Sequence, residues 1–144
     1  MDTITIRRLG PEAEELVLAA PDDIFDNPPD PVQTRAFLSD PYHLLIAAFD
    51  GGRMVGFASG NVLLHPDKPP SFFINELGTA EGWRRRGIGT RLTEAILEAA
   101  RGMGCEGIWL GTERDNAAAR ATYRRAGGCE REDCVLFEWD DALG

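Results

Sequence analysis

The run Arg84-Arg85-Arg86-Gly87-Ile88-Gly89-Thr90 constrains the fold more than any other part of the chain. An apolar, strand-like segment, Phe72 to Thr79, leads into it, and a helix-like segment, Leu92 to Ala100, follows it. A strand, a basic glycine turn and a helix start together make a cradle for a pyrophosphate. Glycines let the backbone approach an anion and turn its N–H groups inward. A helix N-terminus adds free N–H donors and a partial positive charge. The arginines add formal charge and fork-shaped donors. The expected ligand is a diphosphate-bearing cofactor.

Three glycine-turn chemistries compete for this segment. A nucleotide P-loop requires a lysine after its last glycine, and here Thr90 and Arg91 follow Gly89. A dinucleotide turn requires a third glycine where helix meets strand, and the corresponding residue is the bulky Leu92. The pattern Arg-x-x-Gly-x-Gly, set by Arg84, Gly87 and Gly89, resembles the acyl-CoA pyrophosphate loop of the GNAT acetyltransferases.

A second constellation carries the same resemblance. Asn116, Ala119, Tyr123 and Gly127 match the GNAT pattern Asn-x-x-Ala-x-x-x-Tyr-x-x-x-Gly-Phe, with Gly128 standing where the pattern has Phe. Physically, Asn116 suits a helix N-cap. Ala119 and Tyr123 lie one turn apart on one helix face. Gly127 suits the left-handed position after a helix. The segments Ile6 to Pro11, Ala47 to Asp50, Pro66 to Pro70 and Phe137 to Asp140 are also similar to GNAT-type bacterial aminoglycoside 3-N-acetyltransferases.

The resemblance implies an α+β fold over one domain, residues 1–144: a central mixed, twisted sheet flanked by helices and splayed at the cofactor-binding strand. It implies acetyl-CoA as cofactor and a primary amine as acceptor. Tyr123 matches the tyrosine that protonates the leaving thiolate. Glu76, just before Leu77, occupies a place where many of these enzymes carry an acid. It is the candidate base, acting directly or through water, or else it binds substrate charge. The backbone of Leu77 and Thr79 is expected to bind the pantetheine arm, with Gly78 easing the splay between them. Arg84, Arg85, Arg86, Gly87, Ile88, Gly89 and Thr90 form the pyrophosphate loop. Asn116 and Ala119 complete the cofactor side, Asn116 as ligand or only as cap.

Charge narrows the partners. The formal net charge is −9. Nucleic-acid binding needs a basic face and is disfavoured. The arginines concentrate at the proposed phosphate turn. Acids gather early, at Asp22, Asp23, Asp26 and Asp30, and late, from Glu130 to Asp141. Such a surface attracts cationic substrates, or serves solubility. No apolar run reaches membrane-spanning length, and no secretory leader is evident, so a cytoplasmic protein is expected. Cys105, Cys129 and Cys134 have no metal-ligand spacing, and no metal is expected. Cys129 and Cys134 are expected on a hairpin or strand, as small buried apolar residues.

Along the chain, alternation over Thr3 to Arg8 predicts a strand. Pro11 to Ala20 and Pro31 to Leu38 predict helices around an Asp- and Pro-rich loop. His43 to Asp50 and Arg53 to Leu64 predict a hairpin about Gly51-Gly52. After the loop from Pro66 to Ser71 and the strand ending at Thr79, the glycine-turn helix is expected to reach Met103. Glu106 to Gly111 predicts a buried strand. A helix opens at Asn116, and Glu132 to Trp139 predicts a closing strand able to pair across a two-fold axis in a homodimer. Both early loops are expected on the acceptor side.

The leading functional expectation is acetyl transfer to a small polycationic amine, aminoglycosides among them. A polyamine, an amino-acid derivative or a protein amine is the alternative acceptor. A non-catalytic acyl-CoA sensor is the alternative from another class, and a nucleotide-binding regulatory module is a third.

Overall fold

The run His43–Asp50 sets the layering of the molecule. Its side chains are apolar from Leu44 to Phe49. Leu44, Ile46 and Ala48 enter one core cluster, and Leu45, Ala47 and Phe49 enter the other. Successive strand residues point to opposite faces, so an uninterrupted apolar run must be covered on both sides. The computed structural model, which describes residues 3–140, places this strand inside a five-stranded sheet with helices on both faces. Asp141, counted among the late acids, lies outside the described residues.

The strands are β1 (Ile4–Leu9), β2 (His43–Asp50), β3 (Arg53–Leu63), β4 (Ser71–Thr79) and β5 (Ile108–Trp109). They lie side by side in sequence order. All neighbours are antiparallel except β4 and β5, which are parallel. The helices are α1 (Glu14–Leu18), α2 (Pro31–Ser39), α3 (Ile88–Gly102) and α4 (Ala117–Arg125). Short 3-10 turns at Pro11–Ala13 and Glu81–Trp83 precede α1 and α3. The expected mixed sheet flanked by helices is the observed one.

On one face, α3 lays Ile88, Leu92, Ile96 and Ala100 against Leu44, Val55, Phe72 and Ile74. Their spacing gives α3 one apolar stripe. On the other face, Val17 of α1 and Leu38 of α2 pack with Leu45, Phe49 and Phe57. Phe25, from the loop between α1 and α2, rests on Phe57 with ring centroids 4.4 Å apart.

The critical irregularity is in β4. Ser59 of β3 pairs with Glu76, while the next residue, Gly60, pairs with Ile74. Asn75 is therefore the extra residue of a β-bulge. Phe72 and Ile74 face α3, and a regular alternation would send Glu76 to that same core. The bulge resets the alternation, so Glu76 emerges on the face of α1 and α2 while Leu77 returns to α3.

The second feature is how little β5 covers β4. Pairing is confined to Phe72 with Ile108 and Phe73 with Trp109. From Ile74 to Thr79 the far edge of β4 has no strand beside it among the described residues. This is the expected splay, and at Gly78 the strand is also approached closely from its other side. A β-carbon there would lie 2.8 Å from the Ile24 carbonyl and 2.8 Å from the Phe57 ring. Gly78 lets the α1–α2 loop press onto β4.

Four expectations are corrected. The first helix is shorter than Pro11 to Ala20, because a 3-10 turn occupies its start and α1 ends at Leu18. The Glu106 to Gly111 strand shrinks to two residues, and Trp109 is 55% exposed. Glu132 to Trp139 forms no strand, and Val135, Leu136, Phe137 and Trp139 are exposed. A strand needs a neighbour's N–H and C=O groups. With β5 this short, the segment finds no ladder in its own sheet. Cys129 and Cys134 are exposed with it, and only Cys105 is buried.

Replacing Gly78 with Ala is expected to lower the unfolding free energy by about 1–3 kcal/mol through overpacking against Ile24 and Phe57. Gly52→Ala, where a β-carbon would meet nothing within 4 Å, should change it by less than about 0.5 kcal/mol. Urea denaturation of both variants checks the contrast.

Candidate active site

The glycine turn has the geometry an anion requires. Gly87 caps α3 in the left-handed region, with φ 78°. Arg85 is also left-handed, at φ 63°, a conformation uncommon outside glycine. The buried Ile88 side chain anchors the first turn of α3 in the core. This leaves the backbone N–H groups of Ile88, Gly89 and Thr90 without intrahelical acceptors, as in any first helical turn. Arg84, Arg85 and Arg86 are exposed. The Arg86 guanidinium lies over the Trp83 ring, 4.7 Å from its centroid. Arg84 Nε donates to the Thr79 carbonyl at 3.4 Å, at the end of the uncovered stretch of β4.

Gly89 is where the cofactor-side elements converge. A β-carbon there would stand 3.5 Å from Thr122 Cγ2 of α4 and 3.7 Å from Leu77 Cδ2 of β4. The fold thus gathers Leu77, the glycine turn and the residue before Tyr123 at one place.

The ends of α4 are tightly specified. Asn116 Oδ1 accepts from the Ala119 N–H at 3.1 Å, so Asn116 is its N-cap. At the other end Gly127 N–H donates to the Arg124 carbonyl and Gly128 N–H to the Tyr123 carbonyl. Gly127 has φ 94°. This pair of bonds closes the helix as a Schellman motif and pins the Tyr123 backbone. A β-carbon at Gly128 would sit 3.0 Å from the Tyr123 carbonyl, a tight contact that glycine avoids. Tyr123 is half-buried, and desolvation pushes its phenol above the ordinary value, so the hydroxyl keeps its proton at neutral pH. Arg120 forks onto Glu130, with Nε at 2.7 Å and Nη2 at 2.9 Å, and ties the segment after α4 to the helix.

On the opposite side of β4 lies a cleft of about 600 Å3. Phe25, Phe37, Leu45 and Phe57 supply apolar wall, and Asp26, Asp30, Asp40 and Glu76 supply acid. Two of these acids are engaged. Asp30 caps α2 through the Gln33 N–H at 2.8 Å. Asp40 accepts from the Tyr42 N–H at 2.8 Å and lies 3.4 Å from His43 Nδ1. Glu76 and Asp26 have neither a hydrogen bond nor an ion pair among the described residues. Desolvation by the cleft wall raises the Glu76 carboxyl above its ordinary value, and the negative charge of Asp26 adds to it.

Glu76 lines the cleft and Tyr123 does not, and no hydrogen bond joins them. Of the two early loops only the first contributes to the cleft; Pro66 to Ser71 does not line it, and His65 Nε2 instead contacts Ser71 Oγ at 3.0 Å. Sequence reasoning gave no part to Ser59, Phe57 or His43, which line the cleft. Their faces depend on pairing and bulge positions, for which the sequence carries no local sign.

Comparison with known proteins agrees with this geometry. The acetyltransferase (GNAT) family profile matches residues 11–128. An N-alpha-acetyltransferase RimI of Mycobacterium tuberculosis is 33% identical over 102 residues, covering 71% of this chain and 62% of that protein. The chain thus spans about six tenths of that relative's length. The aminoglycoside acetyltransferase meta-AAC0020 from an uncultured soil metagenomic sample, solved with sisomicin, superposes with TM-score 0.82 at 20% identity, over 95% of each chain. AAC(6')-Iy, solved with the bisubstrate analogue CoA-S-monomethyl-acetylneamine, gives 0.79 at 18% identity, over 96% of this chain and 99% of that one. At these identities the two structures speak for the fold. Among the described residues no helix is long and apolar enough to cross a membrane, and no cluster of metal-binding side chains occurs.

The Glu76 carboxyl should titrate above free glutamate in a carbon-detected NMR titration. Asp26→Asn removes a negative neighbour and should move that midpoint down. The midpoint should remain raised, because desolvation is the larger cause. An unchanged midpoint in the Asn variant would separate the two carboxyls electrically.

Proposed function

The chain belongs to the acetyltransferase (GNAT) family, and from that membership we propose that it transfers acetyl from acetyl-CoA to the primary amine of a small polycationic acceptor, with aminoglycosides the first class to test. The observation that carries this reading is the two-sided use of β4. One stretch of strand offers Glu76 to an acidic cleft, leaves its own edge uncovered, and ends at the glycine turn.

The residues present suit acetyl-CoA. The uncovered edge at Leu77 and Thr79 suits an amide-bearing arm that binds like an added strand. The left-handed Gly87, the first-turn N–H groups and three exposed arginines suit a pyrophosphate. When bound, the cofactor supplies the activated acetyl group.

The chain's own residues account for the rest. Glu76 takes a proton from the acceptor nitrogen; its raised proton affinity brings it closer to that task at neutral pH. Tyr123, held protonated by burial, supplies a proton to the leaving sulfur. Base and acid then act on two reactants held together, Glu76 on the amine and Tyr123 on the thioester. Positioning both reactants in this way contributes on the order of 7–11 kcal/mol to lowering the barrier.

The 33% identity to an N-alpha-acetyltransferase supports a second reading, in which the acceptor is the α-amine of a peptide or protein. Release of CoA thiol with neamine, spermidine and an alanyl peptide separates the readings by relative kcat/KM. Release with none of them would remove both.

Acetyl-CoA should raise the Tm of the wild type by mass action. Gly89→Val, which drives a branched side chain toward Thr122 and the backbone cradle, should abolish that shift while the protein stays folded. Tyr123→Phe should lower kcat roughly 100-fold, at the lower end of general acid–base effects, with little change in acetyl-CoA affinity. Wild-type kcat in that variant would reduce Tyr123 to packing.

A further inference from the structure

We propose that Asp26, Glu76 and Ser59 form a three-oxygen receptor for one primary ammonium group of the acceptor, which makes Asp26 and Ser59 specificity-determining residues. The proposal rests on the transfer reading for its chemistry, and on the cleft alone for its geometry.

Ser59 and Glu76 are direct cross-strand partners of β3 and β4. Opposed residues of an antiparallel pair project on the same face, with β-carbons about 4.5–5.5 Å apart. Both line the cleft, and so does Asp26, from the loop between α1 and α2. Ser59 is only 5% exposed. Its hydroxyl nevertheless has no hydrogen-bond partner among the described residues. No fully buried side-chain polar atom among them lacks a partner, so this hydroxyl opens onto the cleft. Ser59 Oγ is therefore open to a hydrogen bond from a ligand in the cleft.

The other acids of the cleft do not compete for this part. Asp30 is held as the α2 cap, and Asp40 is held by Tyr42 and His43. His43 is the cleft's cationic candidate, and it sits on Asp40. Asp26 and Glu76 remain as two carboxyls without a hydrogen bond or ion pair among the described residues, electrically coupled to each other, an arrangement that a cation relieves.

A primary ammonium has three N–H donors. Two carboxylates and one hydroxyl match that number, and the carboxylates match its charge. A secondary or tertiary ammonium would leave an oxygen unfilled and push an alkyl group against Ser59. In the reaction, one N–H bond of the ammonium breaks and its proton moves to a Glu76 carboxylate oxygen. The electron pair stays on nitrogen as the nucleophile. Asp26 and Ser59 hold the remaining two N–H groups and so aim that pair.

The loop that carries Asp26 is fixed from several sides. Asp23 Oδ2 accepts from the Glu81 N–H at 2.9 Å, Phe25 packs on Phe57, and the Ile24 backbone lies against Gly78. Asp26 is thereby held at the cleft although it belongs to an irregular segment.

The test uses Asp26→Asn, Ser59→Ala and the double variant, with calorimetric binding of neamine, spermidine and an alanyl peptide in the presence of CoA, and steady-state acetylation of the same three. For the amine that the wild type binds most tightly, Asp26→Asn should weaken Kd and raise KM by about 10-fold to 100-fold, the range of a charge-assisted hydrogen bond. Ser59→Ala should do so by about 3-fold to 10-fold. In both, kcat should fall much less, acetyl-CoA affinity should hold, and the N-methyl derivative of that amine should lose its disadvantage against the parent. Unchanged amine Kd in a folded Asp26→Asn protein, or no binding of any of the three amines by the wild type, overturns the receptor. Asp26-dependent binding with no acetylation upholds the receptor and overturns the transfer reading.

Discussion

The one-residue bulge at Asn75 is the constraint on which the site depends. A strand with strict alternation cannot send Ile74 and Leu77 to one core and Glu76 to the opposite face. With the bulge it does all three. Ile74 and Leu77 keep β4 fastened to α3, so the strand stays in the sheet, and Glu76 becomes available to the cleft. The same strand end then runs into the glycine turn. The position of the acid and the position of the anion cradle are thus two consequences of how one strand lies on one helix.

Around that strand the molecule is organised by what is left unpaired. β5 meets β4 at two residue pairs only, and beyond them Leu77 of β4 and Thr122 of α4 both come close to Gly89. On the other face the α1–α2 loop is pressed onto β4 through Gly78 and tied to Glu81 by Asp23. The cleft wall is therefore joined to the segment that leads into the cofactor turn. The cleft and the glycine turn share one short piece of backbone.

The segment after α4 behaves differently. Glu130 is gripped by Arg120 and Arg124, and the Arg120 bond holds its carboxyl below the ordinary range. Beyond that anchor Val135, Leu136, Phe137 and Trp139 are exposed in an irregular chain. Alternation and β-branched or aromatic side chains describe a segment ready to be a strand. They do not supply the neighbouring edge that makes it one.

The sequence by itself determined the elements whose cause is local. The apolar run of β2, the glycine hairpin at Gly51, the Pro31 start of α2, the left-handed Gly87 and Gly127 and the Asn116 cap all follow from residue type and spacing, and each stands where its chemistry requires. The order of elements and the family motifs then carried the expectation of a mixed sheet flanked by helices, which the fold meets. Tertiary structure alone decided the acidic cleft. That Glu76 faces a cleft, that Ser59 opposes it, that Asp26 stands free while Asp30 and Asp40 are engaged, and that the last predicted strand has no partner are outcomes of strand register and of which edges meet. Register is a property of two strands together, and a single extra residue inverts every face beyond it. No local pattern in either strand can record that choice.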